Sequence, residues 1–150
     1  MKANELMTGD WIRVSNVPTN LESKIGKCGR VVELEHYPNY SSIAIKFDSE
    51  LDVYFCEKED ELEPIPLTQE ILEKNGFKKE IGVKEVVFTY DDDDKNYRLV
   101  IHPKETNYCG IYTYIHIDVG CVGIEELPLE YVHQLQHALR LCGIEKEITL

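Results

Sequence analysis

The chain has 150 residues, 43% hydrophobic and 29% charged, with a formal net charge of −12. That length supports one domain or two small ones around a real core, and the composition excludes a disordered chain. The acidic balance disfavours a grip on nucleic acid, which needs clustered Lys and Arg, and no apolar run is long enough to span a bilayer.

Charge is spread rather than confined to a tail: residues 1–66 carry 7 basic and 13 acidic groups, and residues 67–150 carry 9 and 15, so each part is −6. The opening Met1-Lys2-Ala3-Asn4-Glu5 lacks the apolar stretch of a secretory signal. Cys28, Cys56, Cys109, Cys121 and Cys142 are odd in number and scattered, with no C-x-x-C pair. Free thiols in a cytoplasmic protein are expected, without a disulfide framework or structural zinc.

In chain order, Thr8-Gly9-Asp10 is a turn leading into a strand at Trp11-Ile12-Arg13-Val14. Residues 15–21 are predicted as loop, and Gly26 to Gly29 as a second turn-rich stretch. A strand over Arg30 to Glu35 is expected to bury Val32 and Leu34 while Glu33 and Glu35 face water. Ile43, Ile45 and Phe47 line one face of the next strand, and Val53-Tyr54-Phe55-Cys56 forms a fourth. Short strands separated by Gly, Pro and Asx turns predict a small antiparallel β-barrel over residues 1–66, of the Src-homology-3-like kind. The acidic Glu57 to Glu63 segment would then supply the single turn before the last strand.

Residues 61–77 join the two parts. Pro64 and Pro66 lack amide donors and hold Glu63 to Pro66 extended. Thr68 is a good N-cap, and Asn75-Gly76 ends a helix at about 69–75, with Phe77 able to fold back on Leu72 as in a Schellman motif.

An α+β region over residues 67–150 follows, as an antiparallel meander with two short helices. Strands are predicted over residues 83–90, 97–102 and 108–117, with Asp91 to Asn96 as a turn and one more short strand at Val122 to Leu127. A second helix is predicted from Pro128 to Cys142, stopped by Gly143 with Ile144 contacting Leu139, and a short terminal strand at Glu147 to Leu150. The expected core comprises Trp11, Val32, Leu34, Ile45, Phe47, Phe55, Leu72, Phe77, Phe88, Leu99, Ile115, Leu135 and Leu139.

Candidate chemistry is sparse. His133 and His137 lie four apart on a helix, but a zincin pattern needs Glu after the first His, and Gln134, Leu135 and Gln136 intervene. No metal site is assigned to them. Asp91-Asp92-Asp93-Asp94 lacks the alternating carboxylates and Gly of a calcium loop. Glu125 and Glu126 are adjacent and would point opposite ways on a strand. No Gly-rich phosphate loop or nucleophile with a base stands out, so no cofactor is expected. If the chain is an enzyme, His133 with Tyr131 or His137 is where its site would be built. Trp11, Tyr37, Tyr40 and Tyr54 could line an aromatic groove on the barrel, and Tyr112, Tyr114 and His116 an open sheet face suited to a protein partner.

Three stretches carry a resemblance: Met1 to Leu6 with Gly9-Asp10-Trp11, Leu62-Glu63-Pro64-Ile65-Pro66-Leu67-Thr68 with Gly76-Phe77, and Tyr131-Val132-His133-Gln134-Leu135-Gln136. Together they resemble a group of uncharacterised proteins of gut anaerobic bacteria and their phages. The chain departs from that group at His137 and Arg140, where more apolar or amide residues are usual, and is longer at Cys121 to Leu127. The resemblance implies a prophage or mobile-element setting and brings no established activity. A non-enzymatic protein-interaction module is the expected function, with a catalytic site near His133 and acidic nucleic-acid mimicry as the alternatives.

Overall fold

The computed structural model describes the chain except at residues 1, 18, 49–52, 57, 82–85, 93–96, 103–113, 120–121 and 142; strand residues 114–119 and 122–128, among others, are described by backbone alone. The chain divides into two compact units, Met1–Ile65 and Pro66–Leu150.

The first unit is a curled antiparallel sheet built from β1 (Trp11–Val14), β2 (Cys28–His36), β3 (Ser41–Lys46), β4 (Val53–Cys56) and β5 (Leu62–Glu63). Its strand order is β4-β3-β2-β1-β5, and a 3-10 turn at Glu59–Glu61 precedes β5. This is the Src-homology-3-like arrangement expected from the spacing of strands and turns. The predicted loop over residues 15–21 includes the start of a 3-10 helix at Thr19–Lys24. The turn before β1 is tied down by Asp10: its Oδ2 accepts from the Met7 amide at 2.7 Å, while Gly9 takes φ 90°.

Gly29 shows how tightly the sheet curls. A Cβ there would lie 2.6 Å from Ile45 Cγ2 and 2.9 Å from the Lys46 carbonyl oxygen, so only glycine fits. The core of this unit gathers Ile12, Val14, Val31, Ile43, Ile45, Phe47, Tyr54, Cys56 and Leu62, with Leu34 packed at its margin.

Two core expectations are corrected here. Val32 is 40% exposed and Val31 is fully buried. The cause is a β-bulge: Val31 pairs with Ile45 but Glu33 pairs with Ala44, so Val32 is the extra residue and the alternation shifts by one. Phe55 is 61% exposed, because β4 turns Tyr54 and Cys56 inward and Val53 and Phe55 outward.

The second unit holds α1 (Gln69–Lys74), β6 (Lys78–Ile81), β7 (Val86–Asp92), β8 (Tyr97–His102), β9 (Tyr114–Val119), β10 (Val122–Pro128) and α2 (Val132–Leu141). The strands form one antiparallel meander in the order β10-β9-β8-β7-β6. Helix α1 begins and ends as its sequence indicates. Thr68 Oγ1 accepts from the Ile71 amide at 3.3 Å, Gly76 takes φ 80°, and the Phe77 and Gly76 amides donate to the Leu72 and Glu73 carbonyls. Helix α2 closes in the same way, with Gly143 at φ 69° and the Ile144 amide donating to the Leu139 carbonyl at 2.9 Å. Leu72, Phe77, Phe88, Leu135 and Leu139 are all buried, whereas Leu99 and Ile115 occupy strand positions described by backbone alone.

Other expectations for this unit are corrected. Strand β6 was not predicted: Lys78 to Ile81 has no buried side chain, so it carries no hydrophobic alternation. Asp91 and Asp92 are not turn residues but extend β7, opposite Arg98 and Tyr97. Pro128 ends β10 instead of starting α2, and Tyr131 makes an isolated bridge to Pro66. Residues 144–150 form no strand; Asn75 holds them through its side chain instead.

Candidate interaction surface

The outer face of the first sheet can be followed row by row from its register. Glu33, Ala44 and Phe55 are aligned across β2, β3 and β4, with Arg30, Lys46 and Val53 in the neighbouring row. Because opposed residues in an antiparallel pair share a face, these side chains lie on the side away from Ile43 and Ile45. Val32 joins them through the bulge, which has turned it out of the core.

The β2–β3 connection extends this face. Tyr37 and Tyr40 flank Pro38-Asn39, and the Tyr37 amide donates to the Tyr40 carbonyl at 2.8 Å. Their rings stack at a centroid distance of 4.6 Å and an interplanar angle of 16°. The Tyr37 hydroxyl donates to Glu35 Oε2 at 2.5 Å, and that carboxylate holds the hydroxyl above its usual pKa. His36 Nδ1 lies 3.1 Å from Ser41 Oγ, fixing the base of the turn.

Among the described residues nine large hydrophobic side chains are exposed, and five of them belong to this segment: Val32, Tyr37, Tyr40, Val53 and Phe55. The concentration matters because single exposed apolar residues are ordinary and grouped ones are not. Val32, Val53 and Phe55 were missing from the sequence-derived surface. The spacing Val53-Tyr54-Phe55-Cys56 fits either parity, and the buried Tyr54–Glu61 hydrogen bond identifies which side faces inward.

The expected aromatic groove therefore divides. Tyr37 and Tyr40 lie together at the surface. Trp11 is buried, with the Arg30 guanidinium 4.8 Å above its ring. Tyr54 is buried too, donating to Glu61 Oε2 at 2.6 Å, and burial together with that bond raises its pKa. Tyr112 lies outside the described residues. Tyr114 and His116 occupy alternate positions of β9, opposite His102 and Val100, with only their backbone described.

The candidate histidine cluster sits on α2. Tyr131 stacks on His133 at 5.8 Å, and His137 meets His133 edge-on at 5.7 Å. His133 is 4% exposed, so the helix turns this ring into the unit. Gln134 has an architectural role: its Oε1 accepts from the Glu130 and Tyr131 amides at 2.7 and 3.1 Å and caps the helix start. Among the described residues no group of three or more His, Cys, Asp or Glu side chains is placed to hold a metal ion. Cys56 is fully buried, its Sγ donating to the Lys58 carbonyl at 3.0 Å, and burial pushes its pKa up to about 12. A thiol in that state is a poor nucleophile.

No match to this chain emerges from comparison with known protein families, curated proteins or solved structures. Among the described residues no helix is long and apolar enough to cross a membrane.

Proposed function

We propose that this chain is a non-enzymatic protein-interaction module, of prophage or mobile-element origin, that docks a protein partner on the outer face of its first sheet. The observation that carries this reading is that five of the nine exposed large hydrophobic residues among the described ones, Val32, Tyr37, Tyr40, Val53 and Phe55, fall on β2, the β2–β3 turn and β4, a sheet whose other face is packed. Interfaces place aromatic side chains at their centre and draw affinity from a few of them. The stacked Tyr37 and Tyr40 rings present one combined aromatic surface to a partner. The origin rests on the resemblance of the three sequence stretches. A cytoplasmic setting has the support of the free thiols Cys28 and Cys56.

The alternative of an enzyme built around His133 has less behind it, since that ring is buried between Tyr131 and His137. The test is affinity capture by the immobilised full chain from an extract of the organism that encodes it. Wild type is compared with Phe55→Lys and Tyr40→Ala, each checked for native circular dichroism. A stoichiometric protein retained by wild type and lost with either variant is the expected result. Equal retention by all three overturns the reading.

A further inference from the structure

We propose that β4 is a strand-addition site, where an extended peptide segment of the partner, with an apolar centre and Lys or Arg at both ends, pairs with Val53 to Cys56. This deepens the docking-face reading above and rests on it.

Among the described residues the two five-stranded sheets have four edge strands, β4, β5, β6 and β10. Exposed edges invite pairing with another chain, and proteins block them with charge, proline or bulges. Strand β5 carries Glu63 and runs into Pro64. Strand β6 carries Lys78, Lys79 and Glu80. Strand β10 contains Glu125 and Glu126, a register shift between Ile124 and Leu127, and Pro128. Strand β4 has none of these devices: Val53-Tyr54-Phe55-Cys56 is uncharged, lacks proline and pairs with β3 in unbroken register.

The strand is also held ready. Tyr54 and Cys56 anchor it inward through their bonds to Glu61 and the Lys58 carbonyl, while Val53 and Phe55 stand exposed beside the edge. Among the described residues no backbone hydrogen bond joins β4 to any segment but β3. In an antiparallel ladder the alternate amides and carbonyls of such a strand point away from its neighbour, ready for a new one.

Charge identifies the occupant. Asp48, Glu50 and Asp52 precede β4 in the sequence, and Glu57, Glu59 and Asp60 follow it, with Lys58 the single cation among them. The sequence is thus acidic on both sides of the strand, and a segment with basic flanks is its charge complement. A second copy of this chain is the wrong partner. Antiparallel pairing of two β4 strands would set the acidic stretch before one against the acidic stretch after the other.

The test uses the full chain and short capped peptides with alternating Val and Thr at the centre. One peptide is flanked by Lys and Arg, one by Glu, and a third is the basic peptide with alternate backbone amides N-methylated. The basic peptide is expected to bind and to slow hydrogen exchange at the Val53 to Cys56 amides. N-methylation is expected to weaken it about tenfold by removing ladder bonds while keeping charge and side chains. Val53→Lys with Phe55→Lys, both at exposed positions, is expected to weaken it similarly, and Glu145→Gln with Glu147→Gln in the second unit to leave it unchanged. Equal binding by the N-methylated or the Glu-flanked peptide overturns the proposal, as does self-association of the chain that protects the β4 amides. A partner captured through Tyr37 and Tyr40 that leaves these amides exchanging freely overturns strand addition while the docking face stands.

Discussion

The side-chain amide of Asn75 pairs with the backbone of Thr149 from both sides: Nδ2 donates to the Thr149 carbonyl at 2.7 Å and Oδ1 accepts from the Thr149 amide at 2.9 Å. Nδ2 also donates to the Ile71 carbonyl at 2.7 Å, so one buried side chain ties the end of α1 to the last residues of the second unit. It does for residues 147–150 what a neighbouring strand would have done.

Asn75→Ala should therefore destabilise the second unit by about 1–2 kcal/mol, because three part-buried hydrogen bonds to the Ile71 and Thr149 backbone are lost. Asn75→Asp should cost more, since a carboxylate cannot donate to the Ile71 and Thr149 carbonyls. Urea denaturation measures both. Hydrogen exchange at Ile148 and Thr149 should accelerate in either variant ahead of the β7 amides.

Gly29→Ala should cost the first unit about 1–3 kcal/mol, since its Cβ would overlap Ile45 and the Lys46 backbone. Gly26→Ala is the useful contrast. Gly26 has open space around it but φ 82°, so only about 1 kcal/mol of backbone strain is expected. Similar losses at both positions would contradict the tight curl at Gly29.

Alkaline pH should weaken the first unit. Burial raises the Cys56 thiol from 9.0 to about 12, and burial with the Glu61 hydrogen bond raises the Tyr54 hydroxyl above 10.0. Below pH 9 both groups are protonated, folded or unfolded, and the native preference for the protonated forms is fully present. As pH climbs past 9 the unfolded chain releases protons that the folded one retains, so stability falls until the folded groups also ionise. The urea midpoint followed from pH 8 upward checks this, and Cys56→Ser should flatten its first part. At neutral pH Tyr54→Phe should cost about 1–3 kcal/mol by leaving Glu61 without its donor.

Phe55→Ser should change stability by less than about 0.5 kcal/mol, as at other exposed positions. Tyr54→Ala, one residue earlier, should cost about 3 kcal/mol or more. Thermal denaturation of the two variants tests the parity of β4, on which the docking face depends.

What the sequence disclosed follows from how local each determinant is. Thr68, Asn75-Gly76-Phe77 and Gly143-Ile144 define helix ends within a few residues, and they appear where expected. The barrel-like order of the first unit was legible because its strands are short, alternating and separated by turns. The bulge at Val32 was hidden, since the run Val31-Val32 looks equally apolar in either register and only pairing with Ala44 decides. Strand β6 was hidden because an edge strand exposed on both sides needs no hydrophobic pattern. The surface was half legible: Tyr37 and Tyr40 stand out beside Pro38-Asn39, but the exposure of Phe55 depends on Tyr54 finding Glu61 seven residues away.

The most direct test of the central claim is hydrogen exchange on the full chain, free and bound to the captured partner, read residue by residue. Protection centred on Val53 to Cys56 and the β2–β3 turn is the predicted footprint. Protection confined to Val132–Leu141 around His133, with β4 exchanging as in the free chain, would contradict the account and move the functional site to the second unit.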